Sequence, residues 1–215
     1  MFPDFLENPS DVAAPLLLGC TLTRTITLNG EKHKLVARIV ETEAYDQDDP
    51  ASHAYGGPSE RNAAMFGPAG HLYVYVSYGM HHCCNVVCGP KDFGSGCLVR
   101  AVEPLEGVEV MRELREAGRM SKAHTGCTGK EQAERTRKHP LKLRDLTNGP
   151  GKVCAALDID KELYGHDLTV EPLVLDFAPL LPGETIGRSP RVGISKNANA
   201  QKRFFIEGNV FVSRA

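Results

Sequence analysis

The 215-residue sequence has no apolar run of membrane-spanning length, because Leu16-Leu17-Leu18 is cut off at Gly19 and a bilayer crossing needs about 20 such residues. The opening Met1-Phe2-Pro3-Asp4-Phe5 lacks the basic stretch and apolar core of a secretory signal, so export is not expected. There are no internal repeats, no Gly-rich nucleotide fingerprint and no linker-like stretch. A solenoid, a dinucleotide-binding fold and a two-domain chain are therefore disfavoured, and a single domain over 1–215 is expected. The seven cysteines are odd in number, with Cys83, Cys84, Cys88 and Cys97 crowded together and no regular framework. This fits reduced thiols in a cytoplasmic or nuclear protein better than a disulfide scaffold. His81-His82-Cys83-Cys84 resembles a metal motif only on paper. Adjacent residues on a strand point to opposite faces, and no second cysteine pair stands at zinc-like spacing. Neither a metal nor another cofactor is expected.

A formal net charge of -2 would argue against a nucleic-acid partner if it were evenly spread. Residues 112–152, however, carry 11 Lys/Arg against 5 Asp/Glu, a balance of +6, which leaves 14 against 22, or -8, elsewhere. An isolated charge run is usually a solvated face. A basic segment on an otherwise acidic chain is also the electrostatic footprint of a protein that tracks phosphates.

Turn and cap signals divide the chain into short elements. Residues 10–19 read as a helix capped by Ser10 or Asp11 and stopped by Gly19, with Pro15 restricting its regular part. Two strand-like runs, 21–28 and 35–45, flank Asn29-Gly30, the strongest short hairpin signal. The Gly- and Pro-rich stretch 46–70 reads as a long loop, and loops of that length in compact domains are commonly functional. Strands are expected at 72–76, 85–88 and 97–102, with closing strands at 173–175, 191–194, 204–206 and 210–213. Glu103-Pro104 reads as the start of a helix ending at Gly118, residues 121–137 as a mobile polar loop, and 153–157 as a short helix. Many hairpin-linked strands with few helices predict an α+β fold with a curved antiparallel sheet and peripheral helices.

Two of these runs carry chemistry. Period-2 alternation puts Glu41, Glu43 and Tyr45 on one face of the first, and Tyr73, Tyr75 and Ser77 on one face of the second. A strand carboxylate alone is more often a solvated surface group, and strand tyrosines alone are more often core. A carboxylate beside several tyrosines instead suits a pocket that holds a flat ring and attacks a bond next to it.

The strings Arg38-Ile39-Val40-Glu41-Thr42-Glu43-Ala44-Tyr45 and Leu72-Tyr73-Val74-Tyr75-Val76-Ser77-Tyr78-Gly79-Met80 bracket Ala51-Ser52-His53, with Asn85 beyond. Together they resemble the alkyladenine (3-methyladenine, or methylpurine) DNA glycosylase family. The resemblance runs from Leu17 to Ser213 and is densest from Arg38 to Glu106. It implies a monomeric, monofunctional enzyme of base excision repair that flips alkylated or deaminated purines out of double-stranded DNA. Such an enzyme hydrolyses the N-glycosidic bond and leaves an abasic site, with no lysine nucleophile. The substrates implied are 3-methyladenine, 7-methylguanine, hypoxanthine and ethenoadenine.

By the same resemblance Glu43 is the carboxylate that activates water. Arg100 stands beside that water, and Val192 contributes a main-chain carbonyl. Tyr45, His53 and Tyr75 sandwich the extruded base, and the Asn85 side chain collides with the amino group of normal guanine. Tyr78 fills the gap left in the stack and Met80 rests beside it in the minor groove. Arg61, Met65 and Lys152 are expected to contact the DNA backbone; Lys152, next to a helix start, reads equally as a plain helix cap. The chain departs from the mammalian pattern at His81 and His82, where that form has aromatic residues. Two rivals remain at this point, a catalytically silent lesion-binding module with the same pocket and a relative of a formyl-transfer domain built on a similar sheet.

Overall fold

Asn29 and Gly30 both have positive φ, 53° and 85°, as the tight turn between two twisted strands requires. They join β1 (Thr21–Leu28) to β2 (Glu31–Asp46), the longest strand. The protein is described here from a computed structural model covering residues 4–122 and 141–213. The other strands are β3 (Leu72–Ser77), β4 (His81–Val87), β5 (Ser95–Glu106), β6 (Leu173–Asp176), β7 (Ile186–Ser189) and β8 (Arg203–Ile206). All are antiparallel members of one eight-stranded sheet ordered β3-β4-β5-β2-β1-β6, with β8 pairing to β2 and β7 to β8. The helices are α1 (Ser10–Leu16), α2 (Val108–Lys122) and α3 (Pro150–Ala156). The fold is α+β, as expected.

β2 organises the sheet because both of its edges are in use. β5 runs along one edge; β1 takes the other edge as far as Arg38, and β8 takes it from Glu41 to Glu43. From Leu35 onward β2 is almost wholly buried. α1 is tied down by the Thr42 hydroxyl donating to the Ala14 carbonyl at 2.8 Å. Leu22, Leu35, Ile39, Val99, Val102, Met111, Val153 and Phe204 are each no more than about 1 % exposed and belong to one core between sheet and helices. The six described cysteines are free and buried within or beside it.

Several sequence expectations are corrected. Glu103-Pro104 does not open a helix: β5 continues to Glu106, with Pro104 opposite Ala37 at a register shift of β2, the kind of irregularity that accepts a residue without an N–H. The turn into α2 is at Gly107, whose φ is +76° and where a Cβ would lie 2.5 Å from Leu35 Cδ2. α2 then passes Gly118 and ends at Lys122, so most of the loop expected at 121–137 falls outside the described residues. Residues 191–194 and 210–213 are not strands, and β7, which the sequence did not signal, supplies the outer partner of β8. The reason is physical. The Val192 and Ser213 amides donate to carboxylates of β2 instead of to a neighbouring strand.

Candidate active site

Glu43 is fully buried on β2, and its alternation partner Tyr45 donates from its hydroxyl to Glu43 Oε2 at 2.8 Å. Glu43 Oε1 accepts the Val192 N–H at 2.8 Å and lies 3.2 Å from Arg100 Nη1. Arg100 reaches this point through a bulge. Glu41 is paired with Ala101 and Thr42 with Val99, so Arg100 is the extra residue of β5, and such a bulge re-aims a side chain out of regular alternation. Burial works against the Arg100 charge, but Glu43 and Glu41 outweigh it and raise its pKa.

Behind Glu43 stands a second buried carboxylate. Glu41 Oε1 accepts from Arg100 Nε at 2.9 Å, from Arg203 Nε at 2.6 Å and from the Ser213 hydroxyl at 2.8 Å. Its Oε2 accepts the Ser213 N–H at 2.6 Å. Glu41 thus orients the arginine that contacts Glu43, a role that the strand pattern alone did not reveal.

The ladder aligns Glu43, Leu98, Asn85 and Tyr73 as successive partners across β2, β5, β4 and β3. Cross-strand partners share a face, so the carboxylate and the tyrosine run look onto the same space. That space is a cavity of about 430 Å³ including its mouth, walled by Tyr45, His53, Tyr73 and Tyr75, with Ala51, Met65, Asn85 and Ile194 completing it. His53 meets Tyr75 edge-on, with centroids 4.5 Å apart at 80°, and Tyr73 stacks on Tyr75 at 5.6 Å and 23°.

Hydrogen bonds fix these rings. His53 Nδ1 is 2.9 Å from the Tyr73 hydroxyl, with the Arg61 charge nearby. Either ring can be the donor of this contact while the imidazole is neutral. Burial, aided by the Arg61 charge, lowers the His53 pKa and favours that neutral ring. Burial also pushes the Tyr73 phenol up to about 12 and raises those of Tyr45 and Tyr75. Cys83, cross-strand partner of Tyr75, adds to the shift of the Tyr75 phenol. The Asn85 amide, 4 % exposed, donates to the Tyr73 carbonyl at 3.4 Å.

Glu43, Arg100, Val192, Tyr45, His53, Tyr75 and Asn85 therefore meet at one place. Val192 meets Glu43 through its N–H, where the sequence pointed to its carbonyl. Tyr78 occupies the tip of the β3–β4 hairpin with φ 50°, followed by Gly79 at 68°, and is 87 % exposed; Met80 beside it is exposed too. Met65 does not reach a surface from which it can touch a DNA backbone: it is 2 % exposed in the cavity wall, where an apolar side chain is most stable. Arg61 is exposed, with its charge near Tyr73. Lys152 Nζ lies 2.6 Å from Asn148 Oδ1 on the first turn of α3, and burial lowers its pKa. Ala51 and Ile194 as wall residues were not singled out from sequence, since neither small nor aliphatic loop residues carry a signal.

The chain matches the family model described as methylpurine-DNA glycosylase over residues 4–210. It is 41 % identical over 211 residues to a protein of Nitrosospira multiformis, covering 98 % of this chain and 92 % of that one. To a protein of Methanoculleus marisnigri it is 40 % identical over 213 residues, covering 98 % and 96 %, and to one of Carboxydothermus hydrogenoformans 39 % over 204 residues, covering 94 % and 93 %. All three bear the name "Putative 3-methyladenine DNA glycosylase". With the match spanning nearly every described element, from the first helix to the tail beyond β8, the chain belongs to the methylpurine-DNA glycosylase family.

Proposed function

We propose that this DNA glycosylase extrudes an alkylated or deaminated purine from duplex DNA into the cavity beside Tyr45 and hydrolyses its glycosidic bond with a water activated by Glu43. The observation that carries the reading is the placement of Glu43, a buried carboxylate hydrogen-bonded to a wall of an aromatic cavity. Among the described residues its Oε2 accepts only from Tyr45, which leaves a lone pair for the proton of a water. In the step, the water oxygen bonds to C1′ as the C1′–N bond breaks, its electron pair leaves with the purine, and the water proton passes to Glu43. Arg100 and the Val192 N–H hold the carboxylate in line. The cavity walls accept the flat base, on which each aromatic contact returns about 1–3 kcal/mol toward the cost of unstacking. Among the described residues no lysine lines the cavity, so the reading predicts an intact abasic strand and no Schiff-base adduct.

The test is a product profile on duplexes carrying 3-methyladenine, 7-methylguanine, hypoxanthine or ethenoadenine. Free purine and an uncut abasic strand that borohydride does not crosslink to protein are expected for at least one of these lesions. Retention of every base in the strand would overturn the proposal.

Tyr78 supplies an independent check, because it stands outside the cavity on an exposed hairpin tip. If it fills the vacated stack, Tyr78→Ala loses about 1–3 kcal/mol of stacking and lowers the flipped population roughly five- to 150-fold. The defect should appear in duplex DNA and largely vanish in single-stranded DNA, where no stack needs filling. Equal loss on the two substrates would put Tyr78 in the pocket or the fold instead.

A further inference from the structure

Arg191 is a buried cation with no part in the expectations drawn from the sequence. Its Nη1 lies 2.8 Å from Asp49 Oδ2 and donates to the Ala44 carbonyl at 2.9 Å. Its Cζ stands 4.5 Å from the centroid of the Tyr45 ring. Arg191 does not line the cavity, whereas Tyr45 does, so the guanidinium packs on Tyr45 from outside the cavity lining. Nε and Nη2 are buried with no partner among the described residues. Burying two unpaired donors is unfavourable, and the contact with Tyr45 is what the guanidinium gains there, a planar cation lying on an aromatic face.

The consequence falls on Glu43. Its two uncharged donors are the Tyr45 hydroxyl and the Val192 N–H. Arg191 packs on the first residue and is the immediate chain neighbour of the second. Asp49 extends the arrangement to the rim: its Oδ1 accepts the Ala51 N–H at 3.0 Å and the Asn197 side-chain amide at 3.2 Å. Lys202 Nζ is 3.5 Å from its Oδ2. Ala51 lies on the loop that bears His53, and Asn197 on the loop that bears Val192 and Ile194. One buried ion pair therefore joins the two loops that close the cavity.

We propose that Arg191, clamped by Asp49, is a positioning residue for hydrolysis, holding the Tyr45 ring and the Val192 amide where both donate to Glu43 while touching neither base nor water. The inference rests on the reading of Glu43 given above. Arg191→Met fills similar space without charge or donors. Its single-turnover release of ethenoadenine should fall by up to about a hundredfold, the scale of an ångström of misplacement at the reacting centre, while lesion-duplex affinity is kept. The chain has no tryptophan, so the etheno base can be followed by its own fluorescence. Arg191→Lys keeps the charge but not the plane and should remain slow. Arg191→Ala should regain rate in sub-denaturing methylguanidinium. Asp49→Asn added to Arg191→Met should slow release no further, because the pair acts as one unit.

Parent-like release by Arg191→Met and Arg191→Lys would overturn this inference alone. So would loss of rate and affinity together, with a lowered thermal midpoint and no recovery in methylguanidinium, the pattern of a merely structural residue. A parent enzyme that releases no base would overturn the functional reading as well.

Discussion

Glu43→Gln is expected to bind lesion-containing duplex as the parent does and to release base about 10²- to 10⁴-fold more slowly in a single turnover, the usual contribution of a positioned general base. The substitution keeps the shape of the side chain, and one amide oxygen can still accept the Val192 N–H. The Tyr45 hydroxyl has only to rotate to accept from the amide nitrogen. Arg100 keeps a carboxylate partner, since its Nε is bonded to Glu41 at 2.9 Å. Binding and folding are therefore spared and the loss is confined to the proton that Glu43 would take. Single-turnover kinetics at saturating enzyme, with affinity measured separately, distinguish the two. Substantial release by the variant would remove Glu43 from the step.

Glu41→Ala should have its effect on stability. The carboxylate is fully buried and receives both Arg100 and Arg203, themselves about 6 % and 5 % exposed. Removing it leaves the buried Arg203 guanidinium without a carboxylate, leaves Arg100 only Glu43, and takes the acceptor from the Ser213 amide and hydroxyl. Breaking a buried pair by deleting one partner costs about 3–5 kcal/mol, which for a chain of this length lowers the thermal midpoint by about 6–20 °C. Calorimetry should show that drop, and the tail at Ser213 should become more open to carboxypeptidase. A midpoint within a degree or so of the parent would mean that the arginines find water or other partners at little cost.

The parts of the molecule legible in the sequence are those whose physics is local. Asn29-Gly30 marked its turn because few residue pairs accept positive φ, and both residues adopt it. Period-2 alternation placed Glu43 beside Tyr45, and their side chains are hydrogen-bonded. Pro104 misled for the same reason: its preference for a first helical turn is local, and the pairing of β5 with β2 overrode it. The segments around Val192 and Ser213 have the apolar character of strands, yet their amides serve Glu43 and Glu41, which lie 149 and 172 residues away in the chain. No periodicity signals a contact of that range. The Asp49–Arg191 pair was invisible on the same ground, whereas the resemblance to known glycosylases supplied the grouping of Glu43, Arg100, His53 and Asn85 that local patterns could not.

The most direct measurement is the structure of the Glu43→Gln variant bound to a duplex carrying hypoxanthine. The account predicts the purine rotated out of the helix and lying in the cavity against Tyr45, His53 and Tyr75. The Tyr78 ring should occupy the vacated stack, and a water should stand between residue 43 and C1′. A lesion still stacked in the helix, with Tyr78 outside the duplex and the cavity empty of base, would contradict it.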